Sequence, residues 1–284
     1  MKESSVNIFL QDKATVSLTI YEATGQKEQV IFLLLPAMGV KASYYQPFLT
    51  ALASTNNRIV ASVDLRGLGT SSVRPSADMD FGYLHFINDL KTVIQFLKNK
   101  YPRRKIVVIG HSLGGQIAIL GQAKFRNLLD GLVLIAANSV YYKGWSGKQR
   151  YVNLLGYTLF PILSRIVGYF PGHKVGFGGK AAKTQLYDWA YVGRNGVYKI
   201  SGDSLDYEKA LKNTQLPILA IDIEGDWMSP PKAMAYLYGK LHAKSPIERF
   251  TLTTQATGGQ LNHFNWTKHS QPLVEMINRW SDRP

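Results

Sequence analysis

Residues 107–118 read VVIGHSLGGQIA, and this stretch constrains the fold more than any other in the chain. The run Ile106–Ile109 is β-branched throughout, as in a strand buried on both faces. After Ser112 the spacing becomes that of a helix. A strand that passes straight into a helix must turn sharply, and the residue at the turn is forced into strained dihedrals. Gly110 and Gly114 fence that residue and omit side chains that would collide with neighbouring backbone. The helix begun at Leu113 directs its first N–H groups at the same spot, where they stabilise negative charge. The stretch therefore raises a serine hydroxyl above a sheet with an anion site beside it, the arrangement of a nucleophile. A phosphate-binding glycine turn is the competing reading, but G-x-G-x-x-G is absent and no Walker lysine follows.

The segments around it alternate. TVSLTIYE (15–22), VIFLLLP (30–36) and RIVASVDL (58–65) read as strands, with a helix at 44–55. Leu84, Ile87, Leu90, Ile94 and Leu97 share one helical face ahead of the apolar strand KIVVIG (105–110), and GLVLIAA (131–137) is another buried strand. Such alternation predicts an α/β fold, a mainly parallel central sheet with helices on both faces. With 284 residues, 45% of them hydrophobic, the chain can bury that core unaided.

From residue 138 to 215 the alternation stops, and LPILAIDIEG (216–225) restores it. The expected organisation is a core of residues 1–137 and 216–284 with an inserted helical cap, 138–215. The interval holds eleven Lys and Arg against four acids, so it carries half of the chain's net charge of +14. Within it, Leu155, Leu159, Leu163 and Val167 align on one helical stripe, with Leu154, Ile162 and Ile166 beside them, and Pro161 is expected to kink or split the helix. A membrane span needs about 20 apolar residues, and Asn153, Gly156 and Arg165 interrupt this one. A cap helix packed on the core is preferred, with a membrane-touching amphipathic cap as the alternative.

The absence of cysteine removes disulfides, thiolate metal sites and cysteine nucleophiles. No cofactor or metal site is expected. A basic surface favours anionic partners, and an anionic or membrane surface is a candidate for the basic cap. No nucleic-acid-binding motif is present, so nucleic acid is not expected. The first 22 residues lack the apolar core of a signal peptide, which makes a cytoplasmic location the default.

A serine hydroxyl needs a base, normally a histidine oriented by a carboxylate, and in a strand-turn-helix architecture the chain order is Ser, acid, His. His263, in the glycine-containing loop after the strand at 247–253, is the candidate base. His111 sits in the elbow, His85 on a helix, His173 in the insertion, and His242 and His269 beside helices. Asp226, just past the strand PILAIDI, is the candidate acid, with Asp222 and Glu224 as rivals. The backbone N–H groups of Leu113 and Met38 are the candidate oxyanion donors, Met38 lying in the loop after VIFLLLP.

PAMG (36–39), DLRGLGTS (64–71), GHSLGG (110–115), GDWMSP (225–230) and NHFNW (262–266) occur in that order. On these motifs the chain resembles the α/β-hydrolase superfamily across nearly its full length. In its inserted segment it resembles a bacterial group of predicted hydrolases without assigned substrates. The resemblance implies Ser112, Asp226 and His263 as the triad. The chain departs from many relatives in having Pro36-Ala37 for His-Gly, so no imidazole orients the loop of Met38, and in having Asn262 before the base. A serine at the elbow implies acyl transfer, where a dehalogenase or epoxide hydrolase of the superfamily has an aspartate. The expected substrate is a small-molecule carboxylic ester. Its acyl or aryl group would be hydrophobic if Trp145, Tyr151, Leu155, Phe160, Tyr169, Phe177, Trp189 and Tyr191 shape a pocket and are not simply cap core. A thioesterase or acyltransferase using the same triad, and a non-catalytic lipid- or partner-binding protein on the same fold, are the alternatives.

Overall fold

Successive side chains of a strand point to opposite faces of a sheet, so an unbroken apolar run requires cover on both. The computed structural model, which describes residues 1–23, 30–55 and 58–282, meets that requirement. Residues 24–29, 56–57 and 283–284, all in the expected core segments, lie outside the described residues. The strands are β1 (Lys2–Phe9), β2 (Thr15–Glu22), β3 (Val30–Leu35), β4 (Ile59–Val63), β5 (Lys105–His111), β6 (Gly131–Ile135), the short pair β7 (Tyr169–Pro171) and β8 (Lys180–Ala182), β9 (Ile218–Ile223) and β10 (Ile247–Leu252). The helices are α1 (Gln46–Ser54), α2 (Tyr83–Lys100), α3 (Leu113–Phe125), α4 (Gly147–Val167), α5 (Lys183–Asn195), α6 (Tyr207–Lys212), α7 (Pro231–Tyr238), α8 (Thr254–Thr257) and α9 (Gln271–Ser281).

The main sheet has the order β1-β2-β4-β3-β5-β6-β9-β10. It is parallel from β4 to β10, and β2 runs antiparallel to both of its neighbours. Ile31, Leu33 and Leu35 of β3 with Ile106 and Val108 of β5 join the apolar layer under α2 and α3. Phe32, Leu34, Val107 and Ile109 join the opposite layer, closed by Phe48 and Leu52 of α1 and by Leu273 and Ile277 of α9. Each fully buried side chain of this size contributes roughly 1.5–3 kcal/mol relative to exposure. The pairing of Leu35 with Gly110 brings the carboxyl ends of β3 and β5 together, and the chain turns there into the loops that build the site. Between the adjacent strands β6 and β9, residues 136–217 leave the sheet, form α4 to α6 with the β7-β8 pair, and return.

The structure bears on two expectations for α4. Pro161 lies inside the helix without splitting it. Proline has no N–H to give the Tyr157 carbonyl one turn back, but the Arg194 guanidinium, on α5, donates to that carbonyl instead. The Ser164 hydroxyl also donates to the Pro161 carbonyl, at 2.8 Å. The apolar stripe, for its part, does not pack on the core. Leu155, Leu159, Ile162 and Ile166 are 58, 49, 54 and 79% exposed. The packed face instead carries Tyr157 and Ser164, with Phe160 and Leu163 half-buried. Tyr157 sets this rotation, because its ring fills the space beside Gly193, where any Cβ would sit 2.6 Å from it, and meets Trp189 edge-on at 4.7 Å. No helix among the described residues is long and apolar enough to cross a membrane.

Candidate active site

Ser112 alone joins β5 to α3, at φ 51° and ψ −115°. An L-residue held there costs on the order of 1–3 kcal/mol, which the surroundings must impose. Its N–H donates to the Ile135 carbonyl at the end of β6, at 3.1 Å. A Cβ at Gly110 would come within 2.4 Å of the Gly115 Cα, and one at Gly114 within 2.2 Å of the Leu35 carbonyl oxygen. The elbow thus closes directly on the end of β3, and only glycine permits it.

A cavity of about 390 Å³ opens above the elbow, and Ser112, Leu113, Met38 and His263 all line it. His263 comes from the loop after α8 and is 4% exposed. Its Nδ1 lies 2.7 Å from Oδ2 of Asp226, which is 6% exposed in the turn after β9. The other carboxylate oxygen accepts from the N–H groups of Met228 at 2.9 Å and Ser229 at 3.3 Å, so both oxygens are engaged and the carboxylate cannot swing away. With the Nδ1 proton held on Asp226, a neutral His263 keeps its lone pair on Nε2.

The rival acids are occupied elsewhere. Asp222, within β9, accepts from the Thr251 hydroxyl at 2.8 Å. Glu224 accepts from the hydroxyl and N–H of Thr254, each at 2.6 Å, and these bonds, the hydroxyl's first, hold its pKa below the usual carboxylate range. His85 accepts from the Gly82 N–H at the start of α2, and His242 from the Lys244 N–H.

Sequence reasoning missed Tyr45. Its hydroxyl accepts from the Ala37 N–H at 3.0 Å and lies 2.6 Å from Nδ1 of His111. The phenol thereby ties the loop preceding Met38 to the elbow strand, where Pro36-Ala37 offers no imidazole. A core tyrosine at the start of a helix carries no sequence signal for this task. Burial first, and then neighbouring His263, hold the His111 pKa well below the histidine range, so no second cation forms beside His263.

Met38 N–H has no acceptor among the described residues. Leu113, the first residue of α3, has no helical carbonyl one turn back to receive its N–H. Met38 and Leu113 both line the cavity that Ser112 lines. Sequence reasoning also missed Asn138, which holds Val140, a cavity residue at φ 56°, through a 2.7 Å bond and donates to the Met228 carbonyl beside Asp226.

Of the aromatic residues expected to shape a pocket, Trp145, Phe160, Phe177 and Trp189 line the cavity. Tyr151 and Leu155 face outward. Gln116, Asn138, Gln149 and Asn153 supply uncharged polar groups, and no Asp, Glu, Lys or Arg lies among the described lining residues.

A mainly parallel sheet, covered on both faces and carrying a strained serine between strand and helix, defines an α/β-hydrolase. The family model described as serine aminopeptidase, S33, matches residues 26–173, more than half of the chain, and the chain belongs to that family. Serine hydrolase BPHL of Homo sapiens is 30% identical over 155 residues, 49% of this chain and 52% of the human protein, so the chain matches about half of that relative's length. An esterase from Exiguobacterium antarcticum superposes with a TM-score of 0.64 at 16% identity, covering 99% of this chain and 100% of the esterase. A bromoperoxidase from Bacillus anthracis superposes at 0.65 with 16% identity and the same two coverages. At such identity the two structures speak for the fold alone.

Proposed function

We propose that this protein is a serine hydrolase that cleaves a neutral carboxylic ester with a hydrophobic acyl or aryl group, through Ser112, His263 and Asp226. One observation carries the reading: a single cavity is lined both by the strained Ser112 and by His263, whose Nδ1 is 2.7 Å from buried Asp226. In this reading Ser112 Oγ attacks the ester carbonyl carbon while Nε2 of His263 takes its proton, and Asp226 stabilises the imidazolium that forms. The carbonyl oxygen becomes an oxyanion that accepts from the N–H groups of Met38 and Leu113, each worth roughly 2.7–4 kcal/mol in such sites. Collapse expels the alcohol, which receives its proton from His263. Water, deprotonated by the same imidazole, then releases the acid from Ser112.

The family description names an aminopeptidase, whose substrate presents an α-ammonium. No carboxylate lies among the described lining residues to pair with one, and this favours a neutral ester. Residues 138–215 serve as the cap, with Trp145, Phe160, Phe177 and Trp189 as its apolar wall.

Intact mass after fluorophosphonate treatment, for the wild type and Ser112→Ala, tests the nucleophile. One adduct on the wild type and none on the variant is expected, and an unlabelled folded wild type would overturn the reading. Hydrolysis of p-nitrophenyl esters of increasing acyl length should exceed that of aminoacyl p-nitroanilides. The reverse order would move the substrate class to peptides.

A further inference from the structure

The outward stripe of α4 has no cover. At 100° per residue, Tyr151, Val152, Leu155, Leu159, Ile162 and Ile166 fall within an arc of about 100°, and all six are exposed. The adjoining arc, with Val152, Asn153, Gly156 and Phe160, lines the cavity. Val152 belongs to both arcs, so the exposed stripe runs up to the cavity wall. Trp227, also exposed, lines the cavity as well.

The charge along the segment that carries the stripe has one sign. Residues 131–187 contain seven Lys and Arg and no Asp or Glu. Of the seven, only Lys183 forms an ion pair among the described residues, with Asp80 at 3.6 Å. Lys148 and Arg165 stand exposed on α4 itself, and Arg150 lies over the Tyr142 and Tyr151 rings. A helix with a wide apolar face, a cation in line with it at its N-terminal end (Lys148), another on its flank (Arg165) and no acid in its length has the composition of one that lies in an anionic lipid interface. A second copy fits poorly, because a two-fold contact through α4 would set Lys148, Arg150 and Arg165 against the same cations with no acid on the helix to offset them.

We propose that α4 docks on an anionic lipid bilayer, with Leu155, Leu159, Ile162 and Ile166 in the acyl boundary and Lys148 and Arg165 on the headgroups, so that the cavity meets the lipid surface. The docking stands apart from the hydrolytic reading, since binding needs no turnover.

Flotation of the full chain with vesicles of equal parts phosphatidylcholine and phosphatidylglycerol, against vesicles of phosphatidylcholine alone, tests it. The wild type should bind the anionic vesicles at least roughly tenfold more tightly. Lys148→Gln with Arg165→Gln should weaken that binding by roughly 30-fold, at about fivefold per cation. Leu155→Gln with Leu159→Gln and Ile162→Gln should weaken it comparably, with circular dichroism unchanged because all three side chains are exposed. Equal binding to both vesicle types, no binding to either, or binding untouched by the two sets of substitutions would overturn the proposal. Self-association in sedimentation equilibrium that the Gln set abolishes would give the face to a second copy and overturn it as well. Ester hydrolysis by Ser112 can fail without altering any of these outcomes.

Discussion

The Tyr45 hydroxyl lies 2.6 Å from Nδ1 of His111 and accepts from the Ala37 N–H at 3.0 Å, joining the end of β5 to the loop that carries Met38. One phenol, 0% exposed, thus holds together two segments 66 residues apart in its longer link.

Tyr45→Phe removes that link while keeping the ring. Two buried polar groups lose their partner, and the expected cost is about 1–3 kcal/mol in urea unfolding. If Met38 N–H serves the oxyanion, kcat should fall at least roughly tenfold with KM little changed, because the loop is then free to shift. A stability loss with kcat intact would leave Tyr45 purely structural.

His111 should make stability fall in acid. Above about pH 6.5 it is neutral in both the folded and unfolded states, and it contributes no pH dependence. Below that, the unfolded chain takes up a proton that the folded chain, with its depressed pKa, does not. The loss continues until the pH reaches the folded-state value, at up to about 1.4 kcal/mol per pH unit. Denaturant melts from pH 7 to 5 should show this excess slope in the wild type, and His111→Gln should lack it.

Asp226→Asn should lower kcat on a p-nitrophenyl ester by roughly 10⁴-fold, since an amide can hold His263 in the wrong tautomer. Glu224→Gln, whose carboxylate is spent on Thr254, should stay within about twofold of wild type. The opposite pattern would assign the acid to Glu224.

Arg194→Met should destabilise the fold by about 1–3 kcal/mol, because the Tyr157 carbonyl then has neither a helical donor nor the guanidinium. Pro161→Ala restores an N–H one turn on, so the same Arg194 substitution should cost less in that background. A double-mutant cycle in thermal unfolding measures the difference, and strict additivity would refute the link.

The parallel core and the serine elbow were legible in the sequence because both rest on local patterns. Unbroken apolar runs such as Ile106–Ile109 demand cover on both faces, and a serine between Gly110 and Gly114 admits only a tight strand-to-helix turn, whose close approach to Leu35 follows from the missing side chains. The chain order of serine, acid and base narrowed the remaining candidates to a few residues. Which acid meets His263 was a tertiary decision: Asp222, Glu224 and Asp226 are neighbours in sequence, and only the fold of the turn after β9 separates one beside an imidazole from two held by threonines. The orientation of α4 was tertiary too. Its apolar periodicity implies burial of the leucine stripe, but Tyr157 seated beside Gly193, and Arg194 on the carbonyl that Pro161 leaves free, rotate that stripe outward. Periodicity records that a helix has an apolar face; what that face meets depends on residues more than thirty positions away.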